Sequence, residues 1–387
     1  MTPDNASLSE EHEKTDVVSR PASRRSWRSW IFALAVLGAA LLLQGIAKRA
    51  PHFVEHYYSR TVFPRFGHAL SFFNGWFSFS LAEILVVGLI GFVVGGVVYQ
   101  TLRVLQTPRR AGAVIGTSLL TLLWGLSSAL MLFLLLWGLN YHREPLGKSL
   151  GLAKRTATDD QIEALSRSII NEVNANYQLS HEGGSGGSLN RTRLYGEIED
   201  AYHNVPLLTG LCGGGYARPK PIRLSGIMSW FGISGIYMPF TGEANFNSLQ
   251  PDFDLPYVIA HEKAHQCGVA REDEANFIAF LVCSNSPDPF VRYSGYLNSL
   301  RVVSALRVAG PERYRNVVGT LGAGPRADLT ARSAFWARYQ GRGMVLGHRI
   351  NNSYLRANNV PGGTRSYSED VALIISYYLQ NMEKADR

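Results

Sequence analysis

The residues best able to do chemistry in this sequence are His261 and His265, with Glu262 directly after the first histidine. On a helix, residues four positions apart share one face, so both imidazoles can reach one metal ion. Two histidines and a carboxylate give Zn²⁺ three ligands and leave its fourth position open to water. The ion makes that water more acidic, and Glu262 can take its proton before the water attacks a polarised carbonyl. The pattern predicts a zinc hydrolase with Glu262 as general base; the alternative is a helix with two solvated histidines.

The third zinc ligand must come from outside this helix. A histidine six residues after His265 would complete a longer zinc motif, but Arg271 stands there, and arginine does not coordinate zinc. A second helix is expected to begin directly afterwards with carboxylates. Glu272 is the expected ligand, with Asn276 one turn later as the hydrogen-bond partner of an imidazole, and Glu274 is the alternative ligand. Carboxylates at a helix N-terminus are also favourable without a metal.

The negatively charged oxygen formed during attack on a carbonyl needs a hydrogen-bond donor. Tyr354 is the candidate for this catalytic role, with His348 and Tyr237 as alternatives; the competing interpretation for each is core packing or a surface position. The segment 235–247 is expected to lie at a sheet edge and to pair with a substrate backbone. Three polar side chains of that segment could line the cleft or occupy turns: Glu243, Asn245 and Asn247.

Two helices and a small sheet must position these residues. Pro256 suits the first turn of the helix LPYVIAHEKAHQC, which is expected to end at Gly268. The second helix is predicted over 272–283. Residues 222–224 and 235–247 alternate in the manner of strands and predict the sheet.

The rest of this region is predicted to be mainly helical. Thr158 and Gln161 have the spacing of a capping box, which predicts the start of an amphipathic helix over 159–178. Further helices are predicted at 192–204, 291–309, 311–320, 328–341, 344–357 and 367–384, with loops at 181–188 and 212–221.

Three long apolar runs precede these elements and predict membrane spans at about 30–47, 82–103 and 113–139. An apolar helix needs roughly 20 residues to cross the hydrocarbon core. The alternative for the first run is a signal peptide, but Gln44 and the basic pair after it do not resemble a cleavage site. The sequence predicts a polar basic tail (1–29), a transmembrane region (30–140) and a mainly α, α+β zincin-like domain with a small β-sheet (141–387).

The distribution of basic residues predicts the orientation. Basic residues are equally numerous on the two sides, but they are denser before the first span and in the short loop around 103–110, which favours a cytoplasmic N-terminus. Three spans then place the C-terminal domain outside the cytoplasm. The aromatic segment 48–79 is expected to lie at the membrane interface, and Glu83 at the start of the second span is expected to be interfacial.

The composition excludes several classes of protein. The chain of 387 residues is 46% hydrophobic and 18% charged, which disfavours a purely soluble protein and excludes full disorder. Its net charge of +8 comes partly from the basic tail, so no nucleic-acid partner is expected. Three cysteines allow at most one disulfide; a Cys267–Cys283 pair is one option, and no pairing is favoured.

HExxH followed by E-x-E-A-N at 272–276 resembles the gluzincin group of zinc peptidases. Longer blocks resemble a bacterial membrane-protein family of unknown function. The blocks are WFSFSLAEI (76–84), GLNYHREPL (138–146), YMPFTGEANFN (237–247), HEKAHQCGVAREDEANFIAF (261–280), RYSGYL (292–297) and NNSYLRANN (351–359). This resemblance implies a zinc peptidase of the bacterial cytoplasmic membrane and indicates no substrate.

The favoured function is a membrane-anchored zinc metallopeptidase that acts on a peptide or protein. The alternative is a non-catalytic binding or sensor module in which zinc only stabilises the domain. An intramembrane protease is disfavoured, because four charged residues surround the motif: Asp252, Asp254, Lys263 and Arg271. The sequence predicts no particular oligomeric state.

Overall fold

A computed structural model of the chain describes residues 23–152, 155–182, 190–212, 214, 216–358, 360 and 370–385. Within these ranges the protein is mainly helical and has one three-stranded sheet. The longer helices are α1 (Ser23–Arg49), α2 (Phe63–Asn74), α3 (Leu81–Gln106), α4 (Ala111–Leu136), α5 (Asp159–Glu182), α6 (Arg191–Asn204), α7 (Ser225–Trp230), α8 (Leu255–Gln266), α9 (Glu272–Ser284), α10 (Pro289–Ser299), α11 (Pro311–Gly319), α12 (Ala323–Ala337), α13 (Arg342–Ala357) and α14 (Asp370–Ala385). The strands are β1 (Lys220–Ile222), β2 (Gly235–Met238) and β3 (Glu243–Asn247). Most of the predicted tail and of the predicted loop at 181–188 lie outside the described residues, as do the first three residues of the helix predicted over 367–384.

Three helices are long and apolar enough to cross a membrane: Trp27–Arg49, Leu81–Gln106 and Pro108–Leu136. They coincide with the three predicted apolar runs. The third ends before residue 139 because the chain tightens into a 3₁₀ helix over Gly138–His142. Helix α1 packs along α4 through small buried residues spaced by seven, Ala33, Ala40 and Ala47.

The aromatic segment 48–79, which was expected to lie at the membrane interface, is largely helical. Its π-helical turns over Val54–Val62 lead into α2, and Tyr58 and Phe63 are buried. Glu55 is also buried and forms a bidentate ion pair with Arg143, in which Nε donates to Oε2 at 2.7 Å and Nη2 donates to Oε1 at 2.9 Å. One face of this segment therefore packs on the domain, which its aromatic composition did not indicate.

The sheet has strand order β1-β3-β2, with β1 parallel and β2 antiparallel to β3. The single alternating run predicted over 235–247 is thus a hairpin of two strands. Gly242, in the turn between them, has φ +65°, and an added Cβ there would lie 2.7 Å from the Cβ of Leu70. Between β1 and β2 the chain forms helix α7, which the sequence did not predict.

Glu243 attaches the sheet to the start of helix α3. Its carboxylate forms a buried ion pair with Lys220 at 2.6 Å and accepts the backbone N–H groups of Leu81 and Ala82 at 3.1 and 2.6 Å. An acidic side chain at a helix N-terminus satisfies free amides and favours the helix dipole. In return, Glu83 of α3 accepts the backbone N–H groups of residues 223 and 224. The position of the sheet is therefore fixed to a candidate membrane span.

The polar residues of β3 neither line a cleft nor occupy turns, the two possibilities that the sequence left open. Glu243, Asn245 and Asn247 are at most 1% exposed. Asn245 donates to the carbonyl oxygens of residues 236 and 243. Asn247 donates to Ser229 Oγ at 2.8 Å. These side chains hold the hairpin and α7 together instead.

The helical body surrounds the sheet. Helix α5 begins with the predicted capping box, in which Thr158 N donates to Gln161 Oε1 at 2.9 Å and Gln161 N donates to Thr158 Oγ1 at 3.3 Å. The helix predicted over 291–309 is shorter, because the chain changes to a 3₁₀ helix at Leu300–Ala305. Helices α5, α8, α9 and α10 enclose the main hydrophobic core.

The disulfide joins Cys212 and Cys267, whose Cα atoms are 5.3 Å apart. Cys283 is a buried free thiol. This pairing replaces the Cys267–Cys283 pair that the sequence also allowed. The bridge ties the end of helix α8 to the loop after α6.

Candidate metal centre

Helix α8 presents both histidines of the motif toward helix α9. Pro256 lies in its first turn, and the helix ends before Gly268, whose φ is +86°. An added Cβ at Gly268 would lie 2.7 Å from the ring of Phe63, so this position needs glycine for its conformation and for the close approach. The chain then turns back and begins α9 at Glu272. This short return places the first carboxylate of α9 opposite the histidine face of α8.

Three predicted ligands converge. His261 Nε2 lies 3.1 Å from His265 Nε2 and 3.1 Å from Glu272 Oε2, and His265 Nε2 lies 3.6 Å from the same carboxylate oxygen. Among the described residues they form a group whose ligand atoms all lie within 4.8 Å of one another. His265 Nδ1 lies 2.7 Å from the carbonyl oxygen of Val269. A proton on that nitrogen leaves the Nε2 lone pair directed at the centre of the group.

The charges of the cluster depend strongly on one another. Burial disfavours the charged imidazole of His265, but Glu272, the charge of Glu262 and the Val269 carbonyl together outweigh burial and raise the pKa of His265 to about 9. Burial favours the neutral acid of Glu272, yet the two histidines hold its pKa well below the ordinary value. Burial lowers the pKa of His261. A divalent cation in the group would replace the proton of His265 as the charge that balances Glu272.

Glu262 lies beside the group without belonging to it. Burial raises the pKa of Glu262 to about 8, and the backbone N–H of Tyr237 donates to its carboxylate. Gly235 leaves the room for this side chain, since an added Cβ would lie 2.6 Å from Glu262 Cγ. Its Oε2 is buried and has no hydrogen-bond partner in the described part of the chain. The carboxylate thus lies between helix α8 and strand β2, and one of its oxygens accepts no hydrogen bond from the described residues.

The alternative ligand and the predicted partner of an imidazole lie elsewhere. Glu274 Oε1 accepts the backbone N–H of Leu146 at 2.7 Å and lies outside the group. Asn276 Oδ1 accepts the hydroxyl of Tyr257 at 3.2 Å, so the prediction that Asn276 would bind an imidazole is wrong. Its side chain lies on the face of α9 that packs on Tyr257. The carbonyl of Val269, in the turn between the helices, contacts the imidazole instead.

Sequence reasoning missed Trp137. Its Nε1 donates to the carbonyl oxygen of His265 at 3.2 Å, and its ring lies edge-on to the imidazole with centroids 6.0 Å apart. Trp137 also contacts the ring of Tyr237. It follows directly on α4 and precedes the block GLNYHREPL, and that position was the only signal available. The residue joins a candidate span to a predicted metal ligand.

The three candidates for an oxyanion donor lie in different surroundings. Tyr237 is 8% exposed and packs against Trp137. His348 is exposed, with Nε2 beside Gly232. Tyr354 is 38% exposed as a whole residue, and it contacts the ring of Tyr141 and shares a side-chain hydrogen bond with it. Burial around its hydroxyl, together with the charge of Glu272, raises the pKa of Tyr354. Tyr354 is therefore a protonated hydroxyl within electrostatic range of the group.

Three apolar helices followed by a helical domain with a small sheet define a membrane-associated protein. Residues 58–375 match the family described as "Protein of unknown function (DUF3810)", and the chain belongs to this family. No curated protein matches the chain, and no solved structure matches it either.

Proposed function

We propose that this protein is a membrane-anchored, zinc-dependent metallopeptidase. The observation that carries the proposal is the convergence of His261 Nε2, His265 Nε2 and Glu272 Oε2, with all three atoms within 4.8 Å. Two imidazoles and one carboxylate are a ligand set of open catalytic zinc sites. The contact of His265 Nδ1 with the Val269 carbonyl supports the fit, because metal-bound histidines commonly use their second nitrogen in this way.

Zinc held by these residues would supply Lewis acidity toward a water molecule and a carbonyl oxygen. Glu262 is the general base of the proposal. In its ionised form, which a cation in the group would favour, its unengaged Oε2 can accept a proton from the attacking water and return it to the leaving nitrogen. The backbone N–H of Tyr237 and the space at Gly235 position the carboxylate through contacts outside the three metal ligands.

Strand β2 is the proposed binding strand for the substrate backbone. It lies at one end of the strand order, so one of its edges is unpaired within the described residues. An extended peptide can add to such an edge through main-chain hydrogen bonds. Because Glu262 lies against Gly235 and Tyr237 of this strand, a peptide paired there passes the general base. Tyr354 is the proposed oxyanion donor, since its protonated hydroxyl lies within electrostatic range of Glu272.

The alternative is a zinc-stabilised binding or sensor module without catalysis. The observation that favours it is the low exposure of the ligands, since the side chains of His265 and Glu272 are 7% and 15% exposed. Zinc would then act as a link between α8 and α9, as in closed structural sites. The unengaged oxygen of Glu262 has no role in this alternative.

We infer that the domain lies outside the cytoplasm of a bacterium. The Cys212–Cys267 disulfide supports this orientation, because disulfides persist mainly in oxidising compartments. The density of basic residues before the first predicted span and in the short loop around 103–110 supports the same orientation. The substrate pool is then extracytoplasmic.

The experiment that separates catalysis from a structural role is Glu262→Gln in the full chain, purified in lipid nanodiscs without chelator. We expect this variant to keep its zinc and to lose hydrolysis of an unstructured peptide library, followed by mass spectrometry. Glu312→Gln, at an exposed position, is the control that should keep both properties. If Glu262→Gln hydrolyses peptides as well as the wild type, the peptidase proposal is wrong.

A further inference from the structure

The candidate site lies directly against the end of a candidate membrane span. Trp137 follows the last residue of α4 and donates to the carbonyl of His265 at 3.2 Å. Leu135, two residues before Trp137, is still 44% exposed. A helix rises about 1.5 Å per residue, so Trp137 lies only about 3 Å along the chain axis from Leu135, and its side chain reaches the backbone of His265 directly. One tryptophan therefore separates the site from the expected edge of the hydrocarbon core.

Helix α13 is attached to the end of another candidate span. Gln44 Nε2 of α1 donates to the carbonyl oxygen of Ala357 at 3.4 Å. Leu355 is fully buried in a cluster that includes Ala47 of α1. Since Gln44 precedes the end of α1 at Arg49 by about 8 Å of helix, the last turn of α13 lies at the depth of the final turns of α1. The C-terminal end of helix α13 therefore lies against the end of this candidate span.

The inner face of α13 packs beside the chain that leads into strand β2. An added Cβ at Gly343 would overlap the indole ring of Trp230, and one at Gly347 would lie 3.0 Å from the carbonyl carbon of Phe231. These close approaches fix which face of the helix points inward. The opposite face is left for solvent or lipid.

The exposed surface of α13 is apolar and basic, and it extends from the opposite face round to Ile350, which lies seven positions after Gly343 at the border of the packed face. Val345, Leu346 and Ile350 are 51%, 46% and 57% exposed. The same helix carries three arginines, Arg342, Arg349 and Arg356. Apolar side chains flanked by arginine are typical of helices that lie in the membrane–water interface, where arginines contact anionic headgroups. This composition suits a lipid surface better than water.

The exposed apolar surface continues to the proposed substrate strand. Ile227 and Trp230 of α7 are 53% and 48% exposed, and Ile236 of β2 is 40% exposed. Trp230 contacts α13 at Gly343, so the surfaces of the two helices adjoin. The unpaired edge of β2 therefore lies next to a surface that is continuous with the candidate spans.

Building on the proposed peptidase function, we propose that α13 lies in the membrane–water interface and that the substrates are polypeptides anchored in the same bilayer. Cleavage then occurs close to the membrane surface, where a peptide leaving the bilayer can pair with β2. The occupant of the apolar surface is lipid with anionic headgroups. Anchoring keeps the peptide at a high effective concentration beside the site.

The position of α13 can be tested without any activity. An environment-sensitive fluorophore is attached to Ile350→Cys in the full chain, in vesicles that contain an anionic lipid. Val308→Cys, at a position that is 94% exposed, is the control. The native cysteines do not compete, since Cys283 is buried and the other two are paired. We expect lipid-borne quenchers to act on the label at 350 and aqueous iodide to act on the label at 308. Equal quenching of both labels by iodide would overturn the interfacial placement.

The substrate class is tested with one peptide library in two forms, free and carrying a lipid anchor, on vesicles that hold the wild type or Ile350→Glu. We expect the anchored form to be cleaved about a hundredfold faster, with cuts near the anchor. Ile350→Glu should reduce only the cleavage of the anchored form, and its zinc content serves as the check of folding. Equal cleavage of both forms would overturn the anchored-substrate proposal and leave the peptidase standing. If neither form is cleaved, the peptidase proposal itself fails.

Discussion

Replacing Gly235 by alanine tests whether the position of Glu262 controls the reaction. The added Cβ would lie 2.6 Å from Glu262 Cγ and 2.7 Å from Cδ, whereas ordinary contacts begin at 3.4 Å. The carboxylate must therefore move by roughly 1 Å, and a displacement of this size in a reacting group lowers the rate about 100-fold, or about 2.7 kcal/mol. None of the nearest atoms belongs to His261, His265 or Glu272. We expect kcat/KM to fall about 100-fold while zinc stays bound.

The assay measures hydrolysis of the anchored peptide library and zinc content on the same preparation. Gly196→Ala is the matched control, because nothing lies within 4 Å of a Cβ added there. Wild-type activity in Gly235→Ala would refute the placement of Glu262 as general base. Loss of zinc along with activity would also refute the reasoning, since the base and the ligands are argued to be positioned separately.

Three further predictions concern stability. Arg143→Met should lower the free energy of unfolding by about 3–5 kcal/mol, because it leaves the carboxylate of Glu55 buried without its main partner. In denaturant titrations, the double variant with Glu55→Gln should recover part of this loss. No recovery would contradict the pairing. Cys212→Ser removes a disulfide between residues 55 positions apart, which should cost about 4 kcal/mol. Alkylation of the denatured wild type without reduction should modify only Cys283, and modification at all three cysteines would show that the disulfide is absent. Burial raises the pKa of Asp370 to about 6 from its ordinary 3.8. The stability contributed by the raised pKa of Asp370 is complete below pH 3.8 and is lost as the pH rises through about 6. Asp370→Asn should therefore make the free energy of unfolding depend less on pH between 3.8 and about 6. An unchanged slope would contradict the pKa shift.

The helical parts of the candidate site could be predicted because they depend on local rules. The spacing of His261 and His265, the proline in the first turn and Gly268 at the end are all read within one helix. Glu272 could be selected because the return between the helices is too short for the chain to move far from the histidines. The three apolar helices could be predicted from length and composition alone.

Contacts between distant parts of the chain could not be predicted in this way. Glu243 lies in a strand that alternates as expected, but its partners Lys220 and the amides of α3 are far away in sequence. Asn276 faces Tyr257 because of how α9 packs, and helical spacing from Glu272 gives no information on that packing. Trp137 resembles any tryptophan at a membrane boundary until the fold places it on His265.

The metal content of the full-length protein tests the central claim most directly. The protein is purified from the membrane without chelator, and zinc is measured by inductively coupled plasma mass spectrometry beside Glu272→Gln and Glu274→Gln. We predict one zinc per wild-type chain, loss of zinc in Glu272→Gln and retention in Glu274→Gln. A wild-type protein without bound zinc, or full retention of zinc by Glu272→Gln, would contradict the proposed centre.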